Sequence, residues 1–170
     1  MRVNLLAYLG RHEEAHAIRE RFGDIDSEDD ESAAGILLHL FEAAILGSDI
    51  ATVRALLPRL TPLAGQVRLG FFFEFCGSVA RLLGDASVLM GNPPEARAFY
   101  QQALDVSAKM RFRPETALTR LAVAELLLAH FPDERVTAQG HLDFAIEEFR
   151  AMKMQPALAR ALRHKGLLHA

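Results

Sequence analysis

Tryptophan is absent from this chain, cysteine occurs once and tyrosine only twice. The lone Cys76 excludes an intramolecular disulfide framework and suits a reducing compartment. Long apolar runs are also missing. The longest, around 71–83, is broken by Glu74 and Arg81, which leaves no clean membrane span. The first eight residues meet Arg11, His12, Glu13 and Glu14 too soon for a signal peptide, and no small-residue cleavage site follows. A cytoplasmic chain without a membrane partner is therefore expected. Positive charge is not in excess: the net charge of −3 gives no reason to expect direct nucleic-acid binding. There is no glycine-rich phosphate loop, no G-x-S-x-G elbow, and no strand-like alternation. No cofactor is implied.

What is there is a globular balance, 51% hydrophobic against 24% charged, in 170 residues, enough for one domain. Apolar positions recur at helical spacing, as in Leu118, Leu121, Ala122, Leu128 and Ala129. Helices are expected near 2–9, 11–22, 32–47, 49–60, 74–91, 94–110, 114–130, 134–153 and 156–168. An acidic run at 24–31 (Asp24, Asp26, Glu28, Asp29, Asp30, Glu31) reads as a solvated linker between repeats.

One unit stands out: Leu83-Gly84, then Gly91, Ala96, Tyr100 and Ala103. Gly84 and Ala103 are small where two helices approach closely, and Tyr100 is the large side chain that fills the space they leave. Gly91 ends the first helix, and Asn92-Pro93-Pro94-Glu95 restarts the chain. Weaker copies follow the same scheme. Gly10 and Gly47 mark further turns, and Leu121-Ala122 with Leu142 and Ala145 forms a fourth unit. These spacings resemble the tetratricopeptide consensus, which implies an all-α fold of antiparallel helix-pair repeats. The arrangement would be a right-handed α–α superhelix of about four to five pairs. A single repeat domain would then cover 1–170, as a piece of a longer array.

Residues from about 65 to 165 further resemble the C-terminal repeat region of large bacterial signalling proteins. Those proteins place a nucleotide cyclase domain or a helix-turn-helix regulator next to a STAND-type ATPase and a tetratricopeptide tail. The carrying segments are Cys76-Gly77-Ser78-Val79-Ala80-Arg81-Leu82-Leu83-Gly84, Gly91-Asn92-Pro93-Pro94-Glu95-Ala96 and Phe99-Tyr100-Gln101-Gln102-Ala103-Leu104. Ala117–Ala122, Glu125–Leu128 and Phe144-Ala145-Ile146 continue them. The resemblance implies a sensor or protein-interaction scaffold without catalytic residues. Its partner would be a protein or peptide, and self-association is compatible with it.

In such arrays the first helix of each pair lines the concave groove. That placement puts Ser78, Arg81 and Asp85 on the inner face, with Thr116, Thr119 and Arg120 following in the next unit. Arg81 offers a planar fork for a carboxylate or a peptide C-terminus. The bland alternative is an i,i+4 ion pair with Asp85. A small-molecule effector site of a transcription regulator is the second reading of the same groove. A third comes from His12-Glu13-Glu14-Ala15-His16, which spells the H-E-x-x-H zinc hydrolase pattern. The repeat turn Gly10–Ala15 explains that spelling without metal. Phe71, Phe72, Phe73 and Phe75 read as core residues or as a docking patch.

Overall fold

Five helix ends in the computed structural model close in the same way. Gly10, Ser48, Gly91, Arg111 and Lys153 each take a left-handed conformation, with φ of 73°, 56°, 75°, 53° and 57°. The next residue in each turn donates its amide to a carbonyl five positions back. The pairs are Arg11 to Leu6, Asp49 to Ala44, Asn92 to Ser87, Phe112 to Ser107 and Met154 to Phe149, all at 2.8–2.9 Å. This is the Schellman closure, which satisfies carbonyls the helix leaves open. Gly47 is not the left-handed residue of its turn, as its φ is −87°. It is small for packing instead: a Cβ there would lie 3.3 Å from the Ala43 carbonyl and 3.5 Å from the His12 ring.

The structure describes residues 2–23, 25, 27, 31–68 and 77–168. The Phe71–Phe75 cluster, Cys76 and five acidic residues of the linker (Asp24, Asp26, Glu28, Asp29 and Asp30) lie outside them. The helices are α1 (Arg2–Tyr8), α2 (His12–Arg19), α3 (Ala34–Leu46), α4 (Ile50–Leu60), α5 (Val79–Leu89), α6 (Pro93–Lys109), α7 (Arg113–His130), α8 (Arg135–Ala151) and α9 (Gln155–Leu168). Short 3-10 turns at Glu20–Phe22, Thr61–Leu63 and Pro132–Glu134 extend α2 and α4 and precede α8. The fold is all-α, as the periodicity predicts. The exception is a two-residue antiparallel ladder, β1 (Val67–Arg68) with β2 (Gly77–Ser78), so α5 begins after a strand at 77–78 and not at 74. No helix among the described residues is long and apolar enough to cross a membrane.

Most helices pack mainly on their neighbours in sequence, most extensively α7 on α8, α5 on α6, and α6 on α7, while α1 packs as extensively on α3 as on α2. The odd-numbered helices also touch in series, α1 to α3, α3 to α5, α5 to α7 and α7 to α9, and the even-numbered ones make no comparable contact among the described residues. That asymmetry puts α1, α3, α5, α7 and α9 on one side of the array.

Three apolar clusters hold the layers together. The first runs through α1–α5 and includes Leu6, Leu38, Phe41, Leu56 and Leu83. It also takes in Ile25, fully buried, whose carbonyl accepts from Arg59 at 2.7 Å. The linker is thus not wholly solvated: one apolar residue anchors it in the core. The second cluster joins Leu121, Leu142, Ala145 and Phe149. The third surrounds Tyr100. Ala122, which the sequence pairs with Leu142, falls in this third cluster. The Gly84–Tyr100 contact is as tight as the sequence predicts. A Cβ at Gly84 would sit 2.4 Å from the tyrosine ring, so any side chain there must displace the ring or the helix.

Candidate functional site

On the odd-helix side of the array lies a cleft of 270 Å³. Tyr8 of α1, Glu42 of α3, Arg81 and Asp85 of α5, Leu118 of α7 and Arg160 of α9 all line it. Local sequence fixes each placement. The Gly10 turn ends α1 just after Tyr8, and the Ser78 hydroxyl caps α5 by accepting the Arg81 amide at 3.4 Å. From that cap, Arg81 and Asp85 stand one turn apart on the cleft face.

The polar side chains form three connected groups. In the first, the Tyr8 hydroxyl donates to Glu42 Oε1 at 2.7 Å, and the Asn4 amide donates to Glu42 Oε2. Asn4 is buried, and its own Oδ1 finds no hydrogen-bond donor among the described residues. In the second, Arg81 Nε donates to Glu115 Oε1 at 2.7 Å and Nη1 to Asp85 Oδ2 at 3.1 Å. The Tyr100 hydroxyl donates to Asp85 Oδ1 at 2.7 Å. On the far rim, Arg160 forks onto Glu125, with Nε 2.6 Å from Oε1, and His164 Nε2 lies 2.8 Å from the same carboxylate.

Burial governs the ionisation of this site. It raises the Glu42 carboxyl above the usual carboxylate range, although Tyr8, Arg81 and Asn4 pull it back. Asp85 is raised for the same reason, against the opposing pull of Arg81 and the Tyr100 hydroxyl. Burial alone would lower Arg81, but the Glu115 and Asp85 carboxylates outweigh it and hold the guanidinium firmly charged. Tyr8 and Tyr100 are pushed well above the ordinary phenol value by burial and by the adjacent carboxylates.

Of the six residues predicted for the groove, Arg81 and Asp85 line this cleft. Ser78 is fully buried and serves as the α5 cap. Thr119 is fully buried too, and its hydroxyl bonds back to the Glu115 carbonyl at 2.8 Å. Thr116 lines a separate 150 Å³ cavity with Ser107 and Phe144. Arg120 stacks on Phe144, its guanidinium carbon 4.3 Å from the ring centroid. Helix-face arithmetic therefore overextended the groove in α5 and α7. It missed Tyr8, Glu42, Leu118 and Arg160. Arg81 is also not an open fork: its pair with Asp85 is present, and buried Glu115 holds it from the next odd helix.

A second cleft of 250 Å³, between α1, α2, α3 and α4, contains His12, Glu13 and His16. His16 Nδ1 lies 3.0 Å from Asp49 Oδ2 and its Nε2 3.6 Å from Glu20. Asp49 in turn caps α4 by accepting the Thr52 amide and hydroxyl. No three His, Cys, Asp or Glu side chains among the described residues converge to hold a metal ion.

Five of the side-chain pairs between helical segments fall at nearly one spacing, whereas Tyr100–Asp85 and Lys165–Asp143 are 15 and 22 residues apart. Tyr8–Glu42, Arg81–Glu115, Arg97–Glu134, Arg113–Glu148 and Arg160–Glu125 lie 34, 34, 37, 35 and 35 residues apart. No family model, curated protein or solved structure matches the chain.

Proposed function

We propose that this chain is a non-catalytic, tetratricopeptide-like interaction or sensor module of a bacterial signalling or transcription-regulatory protein. It binds a peptide or a segment of a partner domain in the inner cleft. One observation carries the reading: a single cleft draws its lining from all five odd-numbered helices. A helix-pair array presents its inner layer in this way. The recurrence of inter-helix pairs at 34–37 residues supports the same architecture, because the tetratricopeptide unit is about 34 residues long.

Selection of phage-displayed dodecapeptides on the immobilised chain tests the proposal. The selected peptides should converge on a consensus. Their binding should be lost in Leu118→Glu, which places a charge in the cleft, and retained in Val136→Glu on the exposed surface of α8. No enrichment, or binding indifferent to Leu118→Glu, overturns it.

A small-molecule effector site is the second reading. It draws on the same 270 Å³ volume, close to the lower end of ligand pockets, about 300 Å³. A metabolite that raises the melting temperature of the parent chain but not of Leu118→Glu would favour it.

A further inference from the structure

The charges at the inner cleft do not balance. Glu42, Asp85, Arg81 and Arg160 line it, and Glu115 and Glu125, outside the lining, pair with the two guanidinium groups, so the connected side chains carry four carboxylates against two guanidinium groups. His164, also of α9, stands against Glu125 as a further titratable group. Arg81 is committed to Glu115 and Asp85, and Arg160 to Glu125. Glu42 is left with two neutral donors, Tyr8 and Asn4. The buried Asn4 Oδ1 beside it still lacks a donor among the described residues. Acceptors thus outnumber donors at the α1–α3 end of the cleft, and an anionic ligand would add to the excess.

We infer that the cleft receives a lysine or arginine side chain from a peptide ligand, with Glu42 and Asp85 as the receiving carboxylates. The inference rests on the proposed function and adds the chemistry of the occupant. A basic side chain has the right shape as well as the right charge. Its aliphatic stem lies along Ile45, Leu118 and Pro156, which line the cleft, and its polar head reaches the carboxylates. A multi-donor cation satisfies several acceptors at once, and each bond to a carboxylate is charge-assisted. Burial makes an ionised Glu42 held only by neutral donors costly, so an incoming cation relieves a cost already present in the free protein.

Nuclear magnetic resonance titration of the full chain with four capped pentapeptides tests this. Each peptide carries one central residue among alanines: arginine, lysine, citrulline or glutamate. The arginine and lysine peptides should shift amides around Glu42 and Asp85 saturably, and bind about tenfold or more tightly than citrulline or glutamate. Glu42→Gln should lose about tenfold in affinity for the arginine peptide, and Glu134→Gln, in an exposed pair on the opposite layer, should lose nothing. Should Glu42→Gln fail to fold, the pH dependence of the parent chain substitutes. Arginine-peptide affinity should fall as pH drops through the raised carboxyl range, while the citrulline peptide shows no such fall. Citrulline or glutamate binding as tightly as arginine overturns the charge inference and leaves the peptide-binding proposal standing. No saturable shift with any of the four peptides overturns both.

Discussion

At Gly84 the tyrosine ring occupies the space where a Cβ would be, at 2.4 Å. Gly84→Ala should therefore destabilise by about 1–3 kcal/mol through overpacking, and Tyr100→Ala by about 3–5 kcal/mol through the lost side chain and its cavity. The two effects are coupled. In a Tyr100→Ala background, Gly84→Ala should cost much less, and urea denaturation of the four chains measures the difference. This contact was legible in the sequence because a small residue and an aromatic at fixed spacing encode a packing fit directly. Arg81 was only half legible. Its i,i+4 partner Asp85 is visible in one turn of helix, but Glu115, 34 residues away and 2% exposed, enters only when α5 and α7 stack. Arg81→Ala strands that carboxylate and should cost about 3–5 kcal/mol. Arg81→Met combined with Glu115→Leu should recover much of the loss, and thermal melts that show no recovery would contradict the buried-pair account. Glu42 has the opposite sign. Its native pKa lies above its unfolded value, so its contribution to stability is present at low pH and lost as pH rises through the native value. Glu42→Gln should accordingly be at least as stable as the parent at neutral pH. Its advantage should shrink as the pH is lowered, which denaturation curves at several pH values would show.

At the scale of the element, five turns share one geometry but not one residue. Glycine supplies the left-handed conformation at 10 and 91, while Ser48, Arg111 and Lys153 adopt it with a side chain. Glycine signals therefore located two of these turns, and a third glycine, Gly47, pointed to the neighbouring position. The others take the left-handed region at residues that carry a side chain, so no glycine marks them in the sequence. Ser48→Gly, Arg111→Gly and Lys153→Gly should each stabilise the chain, by up to about 1 kcal/mol, and Gly91→Ala should cost a similar amount. All four positions are exposed, so changes in melting temperature will report the backbone term. Ser78 and Thr119 teach the complementary lesson. A helical wheel places them on the inner face, but a hydroxyl at an N-cap or within a helix bonds to its own backbone and is no longer offered outward.

Across the whole molecule, helix existence follows from local periodicity, and the cleft does not. Its walls come from five helices that meet only through stacking, and its acidic excess arises between residues that no single segment displays. The three clusters also divide the core along the chain. Removing α9 by ending the chain at residue 153 should open the second cluster while α1–α5 keep their packing. Amide exchange should then show protection retained around Phe41 and Leu83 and lost around Leu142 and Phe149. Uniform loss of protection would instead mean that the layers fold as one cooperative block.

The cleft that begins at Tyr8 also reaches Arg160, so its lining spans 152 residues of sequence although only the odd-numbered helices contribute. In mechanical terms the cleft is a joint that ties the two ends of the chain together, because Tyr8 of α1 and Arg160 of α9 line one and the same space.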